Sequence, residues 1–544
     1  MSGGMGIRST PVASPLPAGA GAWLVAAAAI VFSTALYIGF PQDLGIKIGA
    51  MALVVAVAAA VVRFDITHPY IWFGGAFLLY SVSGPLLMHL GVHPYVNWGG
   101  WPVETLDFSG AMDMQFLGLA TALLVIGPTR RPLGRAAAAS ELRPFFHGAL
   151  AVCALGLLIG SVTVYEILFQ GFTERAQYSA TGGALSRFSF GFNILATALG
   201  VYLAKLFCEK RIGAATACAL LVLLCGVFLV AAIGQRHFLF RSGIIMVFAW
   251  HLFYRPISTR TLVLLAFAAL AAGSALSGYK MWLLTDSAGI PVDGLVGGLQ
   301  EALALRDPAL AQDPAWLRYV KLGLAAALGT EAMTPGNNMA MILSRVPHDL
   351  PFFRGETIPV DIGRAVLPGF LVATLLDSTG ALYNELVFPE NTAVGGGVGF
   401  SIVGYGYIHF GVPGVVLVMA LLGAAIRWIY GWASRSAMGL LFFIGFLPVG
   451  VYVARNDVTA PLSQGLKHVL LPLVLMLIVA ALLGQRGPAP DRRALANRRV
   501  TRSATARHPE RERRTAGPER RARRDRRSGV RTHPGDRAEP GVKR

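Results

Sequence analysis

The sequence GYGYIHFGVPG, residues 404–414, marks the point where the longest hydrophilic interval of the chain enters an apolar run. The interval extends from about residue 280 to residue 400, and apolar runs long enough to cross a bilayer lie on both sides of it. A span needs about 20 apolar residues to cross roughly 30 Å of hydrocarbon, and the interval contains no such run. A polar loop of this length between spans is usually functional. We therefore expect residues 280–408 to form the working face of a membrane protein.

The composition is typical of a multi-pass membrane protein. Of the 544 residues, 54% are hydrophobic and 14% are charged, and the mean hydropathy is +0.57. A soluble chain of this length needs more charge to cover its surface. The formal net charge is +18, but residues 485–544 alone hold 20 Lys/Arg against 7 Asp/Glu. The basicity therefore belongs to an Arg-rich tail, which we expect to be disordered and to contact anionic membrane lipid, with no nucleic acid as partner.

The lengths of the apolar runs predict an all-α, polytopic membrane protein of about twelve transmembrane helices. Residues 1–21 form a leader, 22–279 contain helices one to nine, and 280–408 form one large extracytoplasmic loop between helices nine and ten. Helices ten to twelve follow in 409–484, and the tail occupies 485–544. The apolar stretch Ala365–Leu376 is too short to span the bilayer, so we expect it to be re-entrant or interfacial. The predicted spans are 22–40, 44–62, 69–90, 112–127, 146–168, 188–207, 213–233, 238–254, 261–279, 409–430, 437–453 and 466–484.

The orientation of the spans follows from basic residues in the short loops. Clusters at 130–143, 210–211, 255–260 and 427–435 all fall on one side if the number of spans is even. This pattern predicts that both termini are cytoplasmic and that the large loop faces outward. The small residues at 18–20 precede the first apolar run, which indicates a retained anchor and not a cleaved signal peptide.

Several basic residues lie on the outer side, where the orientation rule predicts few. For any one of them, snorkelling or pairing with Glu166, Glu174 or Asp457 is the alternative to a function. Ionisable groups at membrane depth are nevertheless functional candidates by default, and as a group these residues predict a cationic pocket. Arginine suits a lipid-anchored anion there because its planar fork binds phosphate oxygens bidentately. The residues are Arg187, Arg236, Arg241, Arg455 and Lys467, with Arg345, Arg354 and Arg364 in the loop.

The sequence contains no motif for a nucleotide or a metal. It has no GxxxxGK[ST] phosphate loop, no HExxH and no Asp-x-Asp pair. The four cysteines lie in or beside apolar runs, without the spacing of a metal site or a disulfide framework. His89 and His93 are four residues apart but have no third ligand nearby. We therefore expect no metal and no cofactor.

The order of motifs and spans from Gly234 to Leu483 is similar to that of a known protein family. The loop contains GRAVLP at 363–368 and ends in the 404–414 sequence, while GQR at 234–236 and Arg455 follow mid-chain and penultimate spans. This layout resembles the bacterial O-antigen polymerases (Wzy-type oligosaccharide repeat-unit polymerases). That family has a Pro-Arg-x-x-x-Pro-like segment in a periplasmic loop, then Gly-Glu-x-Tyr-x-Asn-Phe-Gly-x-x-Gly entering a helix. In this chain Tyr405 stands at the family's Glu and His409 at its Asn.

The resemblance implies a GT-C-like glycosyltransferase membrane fold in the bacterial cytoplasmic (inner) membrane. Its activity would be transfer of a growing glycan from undecaprenyl pyrophosphate onto an incoming lipid-linked repeat unit, building O-antigen, capsule or exopolysaccharide. Such a donor is already activated, so the enzyme would be a metal-independent glycosyltransferase. Its implied partners are undecaprenyl-pyrophosphate-linked oligosaccharides, membrane lipids, and the flippase and chain-length regulator of the same pathway.

The resemblance also implies roles for individual residues. Arg236 and Arg364 would stabilise the charge that develops on the departing pyrophosphate. His409 would take the proton of the acceptor hydroxyl, with loop carboxylates as the alternatives. The residues expected to bind substrate are Arg241, Arg345, Arg354, Glu385, Tyr407 and Arg455.

Two other functions remain open at this point. An O-antigen ligase-like transferase would share the architecture and the cationic pocket while using a different acceptor. A twelve-helix transporter or glycolipid flippase of the major-facilitator type would place its long loop between helices six and seven, facing the cytoplasm. The predicted loop lies between helices nine and ten and faces out, which favours the transferase.

Overall fold

The computed structural model describes residues 20–93, 97–131, 133, 139–169, 190–233, 237–258, 260–262, 264–265, 268, 272, 312–329, 332–367, 377–389, 392 and 398–483. Within these residues almost every segment is helical, in agreement with the predicted all-α class. Most of the leader, most of the ninth predicted span, the first part of the large loop and the Arg-rich tail lie outside the described residues.

Sixteen helices are numbered here in chain order. Short 3₁₀ turns occupy Val103–Thr105 and Val453–Arg455, and a π-helical segment, Gln464–Leu470, joins the last two helices. Two-residue strands β1 (Asn97–Trp98) and β2 (Trp101–Pro102) form an antiparallel hairpin. The helices are α1 (Ala20–Gly39), α2 (Leu44–Val61), α3 (Pro69–His89), α4 (Phe108–Ile126), α5 (Ala139–Phe169), α6 (Phe190–Cys208), α7 (Ile212–Ile233), α8 (His237–Phe253), α9 (Ala315–Leu328), α10 (Thr334–Arg345), α11 (Ile358–Val366), α12 (Thr379–Val387), α13 (Ile402–Ala433), α14 (Ala437–Tyr452), α15 (Thr459–Ser463) and α16 (Leu471–Leu482).

The apolar helices are those of a polytopic integral membrane protein. Among the described residues, eight helical stretches are long and apolar enough to cross a bilayer, and three shorter apolar helices lie within α1, α7 and α8. These stretches correspond to the predicted spans other than the ninth, which lies mostly outside the described residues. The total of twelve therefore stays a prediction.

Polar residues define where several helices begin. An Asp or Ser side chain accepts a hydrogen bond from a backbone N–H of the first turn, which satisfies one of the donors that a helix start leaves open. Such a cap stands before α2, α4, α12, α13 and α14, with donor–acceptor distances from 2.7 to 3.4 Å. The capping residues are Asp43, Asp107, Ser378, Ser401 and Ser436.

Small residues allow the apolar helices to pack closely. A Cβ atom added at Gly423 of α13 would lie 2.8 Å from the carbonyl oxygen of Ala122 in α4. One added at Gly156 of α5 would lie 2.8 Å from the backbone nitrogen of Leu195 in α6. Such backbone-to-backbone contact through glycine is a common way for helices to associate in membranes, where there is no hydrophobic drive between them.

Helix α10, from the loop, is inserted among the apolar helices. Every residue from Thr334 to Ile342 is buried, and the helix packs against α3, α4 and α13. The side-chain oxygen of Asn338 accepts hydrogen bonds from Trp98 Nε1 at 3.0 Å and from Tyr383 Oη at 3.2 Å. Burial raises the pKa of the Tyr383 phenol, which keeps it a neutral donor. The loop is thus attached to the helical bundle at the end where β1, β2 and α12 lie, called the loop end below.

The prediction that Ala365–Leu376 is re-entrant or interfacial stays a prediction, and among the described residues the buried helix of the loop is α10. Helix α11 ends at Val366, and residues 368–376 lie outside the described part of the chain. The burial of α10 was not predicted because its sequence, TPGNNMAMILSR, contains two asparagines and a glycine and has no apolar run of membrane length. Its burial depends on hydrogen bonds to Trp98 and Tyr383, which are distant in sequence.

Candidate functional site

Helix α13 is broken close to the predicted boundary between loop and span. Its backbone is helical up to His409, leaves the helical region at Phe410 (φ −139°) and Gly411 (φ +64°, ψ −147°), and then resumes. A positive φ is readily adopted by glycine, which has no Cβ atom to clash. The sequence predicted the span to begin at residue 409, so the break lies within two residues of that boundary. The first half of α13 ends at the loop end with His409 in its last turn.

The ring of His409 has a partner at each nitrogen. The backbone N–H of Gly355 donates to Nδ1 at 3.2 Å, so Nδ1 carries no proton and the ring proton of the neutral imidazole is on Nε2. Nε2 lies 3.2 Å from Thr379 Oγ1 and donates to it. The rings of Tyr405, Phe353 and Phe410 surround the imidazole, with centroids 4.7–6.0 Å away.

The hydrogen bonds continue from Thr379 to a buried carboxylate. Thr379 Oγ1 donates to Asp361 Oδ2 at 2.6 Å, and the Thr379 N–H donates to Asp361 Oδ1 at 3.0 Å. Tyr405 Oη donates to Asp361 Oδ2 at 2.9 Å. Asp361 is only 1% exposed, and its three donors compensate for the loss of water. We call Asp361, Thr379, Tyr405 and His409 the polar network; it connects α11, α12 and α13.

The geometry of His409 favours a positioning role over that of proton acceptor. The residue is 1% exposed, so a sugar hydroxyl has little access to it. Its free lone pair, on Nδ1, is directed at the Gly355 N–H. A general base must lie within hydrogen-bond reach of the proton that it takes. His409 instead holds the turn at residue 355 against α13.

Arg364 lies in the last turn of α11, at the edge of the polar network. Its Nη2 is 3.4 Å from Asp377 Oδ1, and the side chain of Arg364 is 27% exposed. The end of α11 is capped from the π-helical segment, because Lys467 Nζ donates to the carbonyl oxygens of Arg364 at 3.3 Å and Leu367 at 3.1 Å. The contact brings the π-helical segment and α11 together at the loop end.

Arg241 is buried beside the same π-helical segment. It is 4% exposed, and its Nη1 lies 3.5 Å from Asn193 Oδ1 and 3.5 Å from His468 Nδ1. Its Nε and Nη2 are buried and have no hydrogen-bond acceptor within the described part of the chain. Donors of a buried guanidinium are costly to leave without acceptors. His468 and Lys467 are adjacent, so the π-helical segment contacts Arg241 with one side chain and the backbone of α11 at Arg364 with the next.

The other residues predicted to bind substrate occupy several environments. Arg345, at the end of α10, lies 3.7 Å from Asp349 and over the ring of Trp101 at 5.8 Å. Arg354 is exposed, has φ +47°, and precedes the Gly355 that binds His409. Arg354 therefore adjoins the turn that contacts His409, whereas Arg364 lies at the far end of α11 and Arg345 lies over Trp101 of the hairpin.

Of the remaining predicted site residues, three lie in the described part of the chain and one does not. Glu385 is exposed on α12, and Tyr407 is half-buried with its ring 6.0 Å from that of Phe352. Arg455 packs against the backbone of Gly399, where an added Cβ would lie 2.9 Å from the Arg455 Nε atom. Arg236 lies outside the described residues, so its predicted catalytic role stays a prediction.

The sequence analysis gave no role to Asp361 or Thr379 and named Asp457 only as a partner for a basic residue. Asp457 follows Arg455 and is half-buried; burial raises the pKa of its carboxyl to about 6, and the nearby charge of Asp361 adds to this. No local motif marks these positions. Asp361 meets Thr379 across 18 residues and Tyr405 across 44, so the network becomes visible only in the folded chain.

The described residues offer no site of the usual kind for a metal. No group of three or more His, Cys, Asp or Glu side chains among them is arranged to hold a metal ion. The oxygens of Asp361 are occupied by hydroxyl and backbone donors, which leaves them poorly placed as metal ligands.

The fold and the site together define a class of protein. It is an integral membrane protein of many apolar helices, with a loop inserted at one end and arginines beside a buried polar network. Residues 376–486 match the family model described as O-antigen polysaccharide polymerase Wzy. This match, over about a fifth of the chain, confirms the resemblance and contains Thr379, His409, Arg455, Asp457 and Lys467. No curated protein and no solved structure matches the chain at a significant level.

Proposed function

We propose that the protein polymerises oligosaccharide repeat units linked to undecaprenyl pyrophosphate into a surface polysaccharide, on the outer face of the bacterial cytoplasmic membrane. The family match supports the polymerase activity in general terms. The lipid-diphosphate donor and the site are inferred from the arginines. O-antigen, capsule and exopolysaccharide are all products of this class.

Arg241 is the observation that carries this proposal. It is a buried guanidinium among apolar helices, with two N–H-bearing nitrogens that have no acceptor among the described residues. A diphosphate oxygen in that position would accept from both and would balance the buried charge, because the guanidinium fork matches phosphate geometry. Its distance from His468 places it next to the segment that also contacts α11 at Arg364.

In this reaction the protein mainly has to position two lipid-linked glycans and stabilise the leaving group. The acceptor hydroxyl attacks C1 of the donor sugar, and the bond from C1 to the pyrophosphate oxygen breaks. The electron pair stays with undecaprenyl diphosphate, whose increasing charge Arg241 and Arg364 stabilise. The donor is already activated, so no nucleotide is consumed and no metal is required.

The proposed orientation places the loop end outside and both termini inside. Glu356 is exposed in the turn before α11, and Glu209 is exposed after α6, at the opposite side in the predicted topology. In a chain whose four cysteines are replaced by serine, we expect Glu356→Cys to react with an impermeant maleimide on intact spheroplasts. Glu209→Cys should react only after the inner membrane is permeabilised. The reverse labelling pattern would overturn the orientation.

We expect Arg241→Met and Arg364→Ala to convert a ladder of long glycans into single repeat units. Methionine at 241 keeps the side-chain length without the charge, so the apolar surroundings accept it. Loss of one donor to a developing oxyanion typically lowers the rate about 10²–10³-fold, enough to remove the long chains. The measurement is the glycan profile of cells that express each variant at the level of the unchanged protein.

Arg318→Ala is the matched control, because Arg318 is exposed on α9 and, within the described part of the chain, its Nη2 donates to the carbonyl oxygen of Asp313 at 3.4 Å. It should leave the ladder unchanged. Long chains in both the Arg241 and Arg364 variants would disprove the proposed site. A normal ladder that is no longer attached to its final acceptor would instead identify a ligase-like transferase.

A further inference from the structure

Asp457 lies at the junction of three elements of the loop end. It follows the 3₁₀ turn that ends at Arg455 and precedes α15, which packs against α11. Its Oδ1 accepts from the Ala460 N–H at 3.1 Å. Its Oδ2 is next to Gly380 of α12, where an added Cβ atom would lie 2.8 Å away. One oxygen is therefore fixed by the backbone, and the other faces the start of α12.

We propose that Asp457 is the general base that accepts the proton of the acceptor sugar hydroxyl, with Oδ2 as the accepting atom. This inference rests on the proposed polymerase activity and names a catalytic residue for it. The acceptor would be a sugar hydroxyl of the incoming lipid-linked repeat unit, bound between α12 and the Arg455 turn.

The aspartates of this region differ in exposure and in what they contact. Asp361 is 1% exposed and receives three hydrogen bonds, so it is occupied and out of reach. Asp377 is 62% exposed in its side chain and pairs with Arg364 at 3.4 Å, so it lies in water and is already engaged by a cation. Asp457 is half-buried, which gives both access and partial shielding from solvent. The glycine at position 380 lets Oδ2 lie this close to the backbone of α12, because a Cβ atom there would crowd it.

The electrostatics of the site suit this role. Burial raises the pKa of the Asp457 carboxyl to about 6; hydrogen bonds from Ala460 and Thr459 oppose the rise, and the charge of Asp361 adds to it. A base with a pKa near the working pH is ionised and still basic enough to take a proton efficiently. The titratable and charged groups of the elements around it are Asp361 and Arg364 (α11), Asp377, Glu385 (α12), Tyr405 and His409 (α13), Arg455 and Lys467.

The proton balance of the step is complete. The acceptor O–H bond breaks, its proton moves to Oδ2 of Asp457, and the oxygen forms the new bond to C1 of the donor sugar. Undecaprenyl diphosphate departs with the electron pair of the old bond. The carboxylic acid of Asp457 then returns its proton to water or to the departing diphosphate, and no other reactant is needed.

The test is Asp457→Asn in the full chain, purified into lipid nanodiscs with a lipid-linked repeat unit as substrate. Asparagine keeps an oxygen for the Ala460 N–H, so the start of α15 is preserved. We expect the initial rate of chain extension to fall at least 100-fold, while binding of the lipid-linked donor stays within about twofold of the unchanged protein. In the unchanged protein the rate should rise as the pH passes through about 6, since the carboxyl must lose its proton, and the residual rate of Asp457→Asn should lack that rise.

Glu356→Gln is the matched control, because Glu356 is an exposed carboxylate in the turn before α11. It should extend chains at the normal rate. Normal extension by Asp457→Asn would overturn the proposal, and so would a pH profile shared by both proteins. If Asp457→Asn extends chains normally while Arg241→Met does not, only the base is wrongly assigned; normal extension by both variants rejects the polymerase site itself.

Discussion

Asp361→Ala is expected to lower the free energy of unfolding by about 2–4 kcal/mol, because it removes the acceptor of the buried Tyr405 hydroxyl and Thr379 N–H. The Tyr405 hydroxyl and both the N–H and the hydroxyl of Thr379 now donate to Asp361 at 2.6–3.0 Å. With the carboxylate gone, the Tyr405 hydroxyl and the Thr379 N–H lose this acceptor, while the Thr379 hydroxyl keeps its contacts with His409 and Thr357. Chemical denaturation of the purified protein in detergent, followed by tryptophan fluorescence, measures the difference.

Asp349→Ala supplies the comparison for this measurement. The Asp349 side chain is 45% exposed and lies 3.7 Å from Arg345, an arrangement that is worth at most about 1 kcal/mol. If Asp361→Ala changes the stability no more than Asp349→Ala does, the network does not hold α11, α12 and α13 together.

His409→Asn separates the two roles discussed for His409. An asparagine Oδ1 takes a position close to that of the imidazole Nδ1, so it can still accept from the Gly355 N–H while losing the contact with Thr379. A positioning residue should therefore tolerate Asn better than Ala, and chain extension should persist in the first variant.

The sequence alone predicted the apolar helices well because their signal is local. The predicted start of the tenth span at residue 409 lies beside the break at Phe410 and Gly411. It could be predicted because the change from polar loop to apolar run occurs between neighbouring residues. The same reasoning placed α2, α3 and α14 within a residue or two of their observed ends.

The site was harder to predict because its parts are distant in sequence. Asp361 looks like an ordinary acidic residue near the start of an amphipathic helix, and only folding brings it to Thr379 and Tyr405. The role of His409 as a base stays a prediction, and in the folded chain both of its ring nitrogens have hydrogen-bond partners. Arginine was easier to interpret, because a cation such as Arg241 within an apolar run is conspicuous by composition alone.

The break in α13 is encoded locally in the sequence, and it also positions residues of the polar network. The first half of α13 carries Tyr405 and His409 into the polar network, and its direction is set by close contact between Gly406 and Gly414 across the break. Both residues are part of the sequence on which the family resemblance rests. The glycines of that sequence therefore allow close contact between backbones. This contact directs the polar residues between them toward the loop.

Gly414→Ala is expected to destabilise the protein by about 2–3 kcal/mol and to abolish long glycans. The added Cβ would overlap the carbonyl oxygen of Gly406 and lie 3.0 Å from the Cβ of Phe410. Because the first contact is with backbone, no side-chain rotation relieves it, and the first half of α13 must move. That movement carries Tyr405 and His409 away from Asp361 and Thr379. Thermal denaturation in detergent and the glycan profile of expressing cells measure the two effects.

Gly49→Ala is the control, since an added Cβ at this position in α2 meets nothing within 4 Å. Replacing a helical glycine by alanine where space allows usually stabilises a helix by about 0.5–1 kcal/mol, so this variant should be as stable as the unchanged protein or more so. The two substitutions are chemically identical and differ only in what surrounds them. An equal response at positions 49 and 414 would mean that the halves of α13 do not meet through their backbones, and the observed path of the chain from the loop into the span would be wrong.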